Sequence, residues 1–405
     1  MLSAAFALKL FEGFSIERWN DLARPFALVE MDKAGEKMVL AYIIGKYEEQ
    51  CGKTVDWHWM IYAAVFDLFK RIALCDIKSP VQRMIRSRYP DEYKKLNAWV
   101  LKQYEHYIGE SELFDRFRRF LQEETEMEHA EPDRRHSYRV LRAAHKFATL
   151  RELQMLSVVN EPDRVRHIEH ALNSDIQEFL DLRGLQLLVT RQSPYEFLKI
   201  IEQLRFQTRW NQTPRVPRTS VLGHSFYVAV LTLLLGLQQE CAFCAEREYN
   251  NFFSALFHDL PEAVTRDIIS PVKQATYELP AIVKKIEDEF VSSELRPLMD
   301  ACYAEQLLYF TQHEFENRIR TKGGIQFVEF ADLNELYNSA EFSPVDGRLV
   351  RCADHIAAFI EADCSIKHGI TSVHLRDGRE NILKNYPDGV IINGFAASAF
   401  FSEFM

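Results

Sequence analysis

The sequence predicts a mostly α-helical protein built as two tandem helical bundles, and three observations predict it. Glycine (15) and proline (14) are sparse for a chain of 405 residues, which favours long helices over a turn-rich β architecture. Apolar residues recur at helical spacing through most of the chain, for example over 93–107, 139–158, 282–290 and 349–366. Finally, the second half repeats the first at a fixed offset, and a soft prior of about 150 residues per domain already asks for two or three domains.

The repeat begins with the first helix. Apolar residues from Phe6 to Phe14 lead into Glu17-Arg18-Trp19-Asn20, and Phe197 to Phe206 lead into Thr208-Arg209-Trp210-Asn211, an offset of 191 (209 − 18). Without a gap, Arg24 then falls on Arg215, Gly45 on Gly236, Phe66 on Phe257, and Asp76-Ile77-Lys78-Ser79-Pro80-Val81 on Asp267-Ile268-Ile269-Ser270-Pro271-Val272. Further on, Arg139 to His145 resembles Arg348 to Asp354 at an offset of 209 (354 − 145), so the second copy carries an insertion, expected between Phe290 and Val345. Ser193-Pro194 favours a turn and marks the seam, giving domains 1–190 and 191–405. The mixed-charge tract 110–135 reads as a solvated helix or mobile connector, and Ser372–Leu375 and Gly389–Ile392 as short strands.

Composition narrows the function. A formal net charge of -10 gives no general attraction to a polyanionic backbone, so no long nucleic acid is expected, although a local basic pocket remains open to a small phosphate. The seven cysteines are odd in number and scattered, which suits reduced thiols, and Cys241 and Cys244 read as buried helix thiols. The opening segment lacks a signal-peptide pattern, and the best apolar run, Val228 to Leu237, is about half of the roughly 20 residues that a bilayer requires. A cytoplasmic protein without membrane contact is the expectation.

The chemistry concentrates in Phe257-His258-Asp259-Leu260-Pro261-Glu262. A His-Asp pair at the end of one apolar helix, with His224 at the start of the helix before it, suits a divalent metal, since imidazole and carboxylate together bind borderline transition ions. Two antiparallel helices bring such positions together in a bundle core. A further carboxylate is needed from a third helix. Asp354 is the best candidate because its neighbours are apolar or small at core spacing, and a carboxylate on an inward face implies a cation; Asp332 is the weaker one. His355, His368 and His374 read as solvated or structural.

Together Gly223-His224-Ser225, Phe257 to Glu262, Asp267 followed by Ser270-Pro271-Val272-Lys273, and Arg351 to Ala362 resemble the HD-domain metal-dependent phosphohydrolases, most closely the bacterial 5'-deoxynucleotidases. The resemblance covers about 194–369. It implies a phosphohydrolase that removes the 5'-phosphate from (deoxy)nucleoside monophosphates, with His224, His258, Asp259 and Asp354 holding one divalent ion (Mn, Co, Mg, Zn or Fe). It gives Glu262 the role of proton acceptor for water, and Asp267 a role at the sugar or the leaving oxygen. Arg209 and Trp210 correspond to a substrate-contacting pair, with Arg218 and Lys273 as further phosphate contacts. One departure is the 96 residues between His258 and Asp354 (354 − 258), longer than that subgroup shows, which again implies an insertion.

The first copy serves as a control. Lys33 stands at the position of His224, Asp67 at His258, Leu68 at Asp259, Arg71 at Glu262 and His145 at Asp354, so copy one is expected to bind no metal. Arg18, Trp19 and Asp76 persist either to maintain the fold, the favoured reading, or to line a metal-free nucleotide pocket. Because the related single-domain enzymes resemble dimers, a further hypothesis is that the two copies pack as a fused pseudo-dimer; a homo-oligomer is also open. Two rival functions remain: a nucleoside triphosphohydrolase or phosphodiesterase using the same site, and a nucleotide-responsive binding protein.

Overall fold

The computed structural model describes residues 2–123, 127, 130–266, 272 and 276–405. Helices account for 67% of the chain and strands for 4%. Two helices form its centre, Glu30–Gln50 and Val221–Gly236. Every residue from Val221 to Leu235 is buried, and so is nearly every residue of the other helix, as expected of helices enclosed on all sides. They pack on each other where Gly35 meets Leu222 and Phe226, and where Gly223 meets Phe14 and Asp32; a Cβ at Gly223 would overlap both.

Each central helix has its own surrounding shell. Helix Glu30–Gln50 packs against Trp57–Leu74, Pro132–Ser157 and Arg183–Val189, whereas Val221–Gly236 packs against Pro194–Phe206, Ala245–Phe257 and Gly347–Lys367. The join between the two sets is mostly apolar, and each fully buried Leu or Phe there is worth about 1.5–3 kcal/mol. Aromatic contacts cross it as well, with Tyr42 against Phe253 and Phe257, and Phe14 against Tyr227. Buried polar pairs fix its register: Arg205 to Glu36 at 2.7 Å, Ser220 donating to Asp32 at 2.6 Å, and the Tyr227 hydroxyl donating to the Ala7 carbonyl at 2.8 Å.

The stretch in which the sequence implies an insertion holds the only sheet among the described residues. Strand β1 (Asn317–Thr321) pairs antiparallel with β2 (Gly324–Phe327) in the register Arg318↔Phe327 to Thr321↔Gly324, and on its other edge with β3 (Val345–Asp346). The fully buried Arg318 ties β1 down by donating to the carbonyls of Tyr309, Phe310, His313 and Glu316.

Four local expectations are corrected. Ser372–Leu375 is no strand, because Ser372 caps the helix Val373–Lys384 by accepting from the Leu375 amide, which also buries Leu375. Gly389–Ile392 is no strand: Gly389 lies in a turn, Val390 and Ile391 are irregular, and Ile392 makes only an isolated bridge to Phe395 across Asn393-Gly394. Part of the charged tract, Glu112–Glu123, is an amphipathic helix that buries Leu113, Phe114, Phe117 and Leu121, with Phe117 stacked on Phe66, so it belongs to the core rather than to a solvated connector. Cys241 and Cys244 lie in the loop before helix Ala245–Phe257, half-buried and unpaired, not inside a helix.

Candidate functional site

His224 sits in the first turn of helix Val221–Gly236, just after its Ser220 cap, whose hydroxyl accepts from the Gly223 amide at 2.9 Å. His258 closes helix Ala245–Phe257, and the chain then turns through Asp259 so that the Glu262 amide donates to the Asp259 carbonyl at 3.0 Å. Asp354 comes from the third helix, Gly347–Lys367. A fully buried ion pair locks the second and third of these elements together. Arg247 donates twice to Asp346, at 2.7 Å each, and Asn251 adds a bond at 2.8 Å, so the helix ending in His258 is fixed to the start of the helix carrying Asp354.

One nitrogen or oxygen from each of His224, His258 and Asp259 lies within 4.8 Å of the others, a grouping able to hold a metal ion. Asp354 joins through His224, whose Nε2 is 2.9 Å from its Oδ1. The other nitrogen, Nδ1, faces Glu361 Oε1 at 3.2 Å, the orientation that points Nε2 at the cluster. His258 donates from Nδ1 to the Ala255 carbonyl at 2.7 Å, which likewise leaves Nε2 toward Asp259. Nε2 of His258 and Oδ2 of Asp259 are buried with no hydrogen-bond partner. Buried polar atoms are rarely left so, and here the orphaned pair is a nitrogen and an oxygen of metal-binding type facing one another. The donor set therefore fits a divalent ion.

The charges agree. Burial opposes protonation of His258, but Asp259 and Asp354 outweigh it and push its pKa up to about 9. Burial would raise Asp354 and Asp259, yet the facing imidazoles and Arg209 hold both below the usual carboxylate range. Carboxylates, imidazoles and a guanidinium thus face one another in the cluster, and a divalent cation bound there would compete with protons for the imidazole nitrogens.

Arg209 lies across the cluster. Its guanidinium is 3.6 Å from Asp259, 3.9 Å from Asp354 and 3.2 Å from Glu361. Trp210 has a positive φ of 54° and donates from Nε1 to Glu361 at 2.8 Å, while its ring lies where a Cβ at Gly378 would overlap it. Arg215 holds the loop by donating to the Arg209 and Thr219 carbonyls, and Gln207 donates to the Glu262 carbonyl at 2.8 Å. Glu262 itself is buried at the start of a short helix.

Not every expected residue is brought in. Arg218 is exposed on the loop between Trp210 and helix Val221–Gly236 and joins no bond of the cluster. Asp332 lies apart on the short helix Phe330–Glu335, next to Leu333, whose carbonyl is within 3.4 Å of Arg247. Asp267 and Lys273 lie outside the described residues. His355 bonds the Tyr386 hydroxyl at 2.8 Å and His368 the carbonyl of Cys364 at 2.7 Å.

Sequence reasoning missed Glu361, which receives His224, Arg209 and Trp210 at once. A signal existed: Glu152 precedes it by the same offset of 209 (361 − 152). In the first half Glu152 receives Arg18 at 2.9 Å and Trp19 at 2.9 Å. Trp19 repeats the positive φ, at 58°, and Arg24 donates to the Arg18 carbonyl as Arg215 does to Arg209. The flanking bridges match too, Glu17 to Val29 and Thr208 to Ser220.

Residues 201–383 match the family model described as HD domain. Among solved structures, the chain is similar to an HD-domain phosphohydrolase from Listeria innocua, with 17% identity over 52% of this chain and 85% of that one and a TM-score of 0.36. No curated protein matches its sequence. The family match encloses His224, His258, Asp259 and Asp354.

Proposed function

We propose that the chain is a metal-dependent phosphohydrolase that removes the 5'-phosphate from (deoxy)nucleoside monophosphates, with a degenerate first copy over 1–190 and the chemistry in 191–405. The observation that carries this reading is the cluster of His224, His258, Asp259 and Asp354 with Arg209 laid across it. His224, His258, Asp259 and Asp354 would hold the ion, which when bound supplies an acidified water and neutralises phosphoryl charge. Arg209 would release its carboxylates to the ion and turn its guanidinium to the phosphate oxygens, a pairing that its planar donors suit. Trp210, backed by Gly378, would pack on the sugar. Glu262 would accept the proton of the attacking water at a carboxylate oxygen. Asp267 is assigned to the sugar or the leaving oxygen, and Arg218 and Lys273 to outer phosphate contacts. The repeated Arg-Trp-Glu arrangement and the packing of the two central helices support a duplicated chain folded as a fused pseudo-dimer.

A panel of nucleoside mono-, di- and triphosphates assayed with Mn, Co, Mg and Zn tests the reading. Inorganic phosphate is expected from monophosphates; release of pyrophosphate or triphosphate from the longer substrates in its place would overturn it. His258→Ala should lose both metal and turnover, whereas Glu262→Ala should keep the metal and lose turnover by roughly 10²–10⁴-fold, the range for a proton-transfer group. Unchanged turnover in Glu262→Ala would move the general base elsewhere.

A further inference from the structure

The loop that carries Arg209 and Trp210 lies in the second half, yet both of its ends are held by side chains of the first. Its neck is closed from within, where the Arg209 amide donates to the Thr219 carbonyl at 3.1 Å and the Val221 amide to the Gln207 carbonyl at 3.0 Å. On the entering side Arg205, in the last turn of helix Pro194–Phe206, donates to Glu36 at 2.7 Å and to Glu152 at 3.4 Å, and all three are buried. One turn earlier Arg151 donates twice to Glu202, at 2.7 Å each. Phe26 adds an edge-to-face contact on Phe206, with ring centroids 4.8 Å apart. On the leaving side Ser220 donates to Asp32 at 2.6 Å while its oxygen accepts from the Gly223 amide, so the first half also fixes the cap of the helix that carries His224.

The loop of Arg18 and Trp19 receives no such anchors in return. At the offset of 191, Phe14 stands at the place of Arg205 (205 − 14), Val29 at Ser220, Gly223 at Asp32 and Tyr227 at Glu36. Phe14 and Tyr227 do meet, with ring centroids 6.0 Å apart, so the same crossing is ionic on one side and apolar on the other. An apolar crossing joins two helices at least as well as a buried ion pair, whose desolvation often cancels its attraction. Arg205 moreover buries Nε and Nη1 without a hydrogen-bond partner. Stability of the join therefore does not account for the ionic side, whereas a planar guanidinium held between carboxylates does fix a direction. We infer that Glu36, Glu152 and Asp32 of the first half are positioning residues for the second: they anchor both ends of loop 207–220, so that Arg209 and Trp210 meet the substrate in one arrangement, and touch no substrate themselves. That the loop serves a nucleoside monophosphate rests on the function proposed for the second half; that the first half orders the loop does not.

The test uses the full chain with Arg205→Met and Glu36→Leu combined, an apolar pair that removes both charges together and leaves Glu152 with Arg18 and Trp19, so that the urea midpoint should not fall. In protein labelled with 5-fluorotryptophan, the fluorine resonance of Trp210, assigned by its absence from Trp210→Phe, is expected to move or broaden in the double variant while those of Trp57, Trp59 and Trp99 stay in place. In hydrolysis of dAMP with Mn, KM is expected to rise about tenfold with kcat within about threefold, the pattern of lost substrate contact rather than lost chemistry. Asp32→Ala, which removes only the acceptor of Ser220, should shift both readouts the same way and carries the test if the double variant does not fold; Asp32→Asn should restore them. Tyr227→Phe, which breaks the buried bond to the Ala7 carbonyl at the same join, should change neither. An unmoved Trp210 resonance in a protein with native circular dichroism, or equal effects from Tyr227→Phe, would overturn the positioning role. Failure of the catalytic reading looks different: the unmodified protein would then fail to turn over dAMP, while the Trp210 resonance would still respond to the loss of Arg205 and Glu36.

Discussion

A single buried carboxylate organises the candidate site more than any ligand does. Glu361 accepts from Arg209 and Trp210 and faces Nδ1 of His224, and although burial would raise its pKa, Arg209 and His224 hold it low and ionised. Its removal should therefore loosen the proposed ligand His224 and both proposed substrate contacts, Arg209 and Trp210, together. Glu361→Gln is expected to weaken divalent-metal binding by about 10–100-fold, the range seen when the group orienting a histidine ligand is lost. Metal titration followed by equilibrium dialysis checks this, and affinity within twofold of the parent would reduce Glu361 to packing. Lys33 gives a pH prediction in the other half. Burial pushes its pKa down to about 7, with Glu152 and Glu36 opposing and Arg18 and Arg205 assisting. Between about 7 and the ordinary value of 10.5 the unfolded chain holds a proton that the folded chain has released, so this group makes stability rise with pH across that window, by at most about 1.4 kcal/mol per pH unit. Lys33→Met should remove that contribution, read as the difference between urea-unfolding free energies of the two proteins from pH 7 to 10; parallel curves would contradict it.

At the scale of elements, the site exists because helix Ala245–Phe257 and helix Gly347–Lys367 are clamped by Arg247 and Asp346, both fully buried. Removing one partner leaves the other charge buried alone, so Asp346→Ala is expected to cost about 3–5 kcal/mol of stability, measured by denaturant unfolding. A loss below about 1 kcal/mol would mean that water reaches Arg247. The helices were legible because periodicity depends only on local order, and they bring His224, His258 and Asp259 within 4.8 Å of one another with Asp354 2.9 Å from His224. The strands of the insertion were not, since β1 and β2 are short and their anchor, Arg318, reads in sequence as a surface charge. The same reason hid the clamp, because a buried Arg247 looks like a solvated residue until its partner, 99 positions away, is known. The reading of Ser372–Leu375 failed for a different cause: a serine cap and its buried leucine look like alternation when the helix behind them is not yet in view.

For the whole molecule, the decisive feature is that the two central helices share one interior. Separating the halves would expose Leu222, Phe226 and Tyr227 together with Phe11, Phe14 and Tyr42, all buried. Arg205 would lose Glu36 and Glu152 from the other half, and Asp32 would lose Ser220. An apolar face of that kind is not tolerated on an isolated soluble domain, and the stranded charges add to its cost. The chain should therefore behave as one particle rather than two tethered lobes. Small-angle scattering is expected to give a radius of gyration of about 22 Å, the value for a compact chain of this length, and heat or urea should unfold it in one transition when followed by both fluorescence and circular dichroism. Residues 191–405 expressed alone should aggregate or dimerise through helix Val221–Gly236, the face that helix Glu30–Gln50 otherwise covers. A monomeric, stable 191–405 fragment, or scattering from two resolved lobes, would show that the halves fold independently and that the buried join contributes little to holding them.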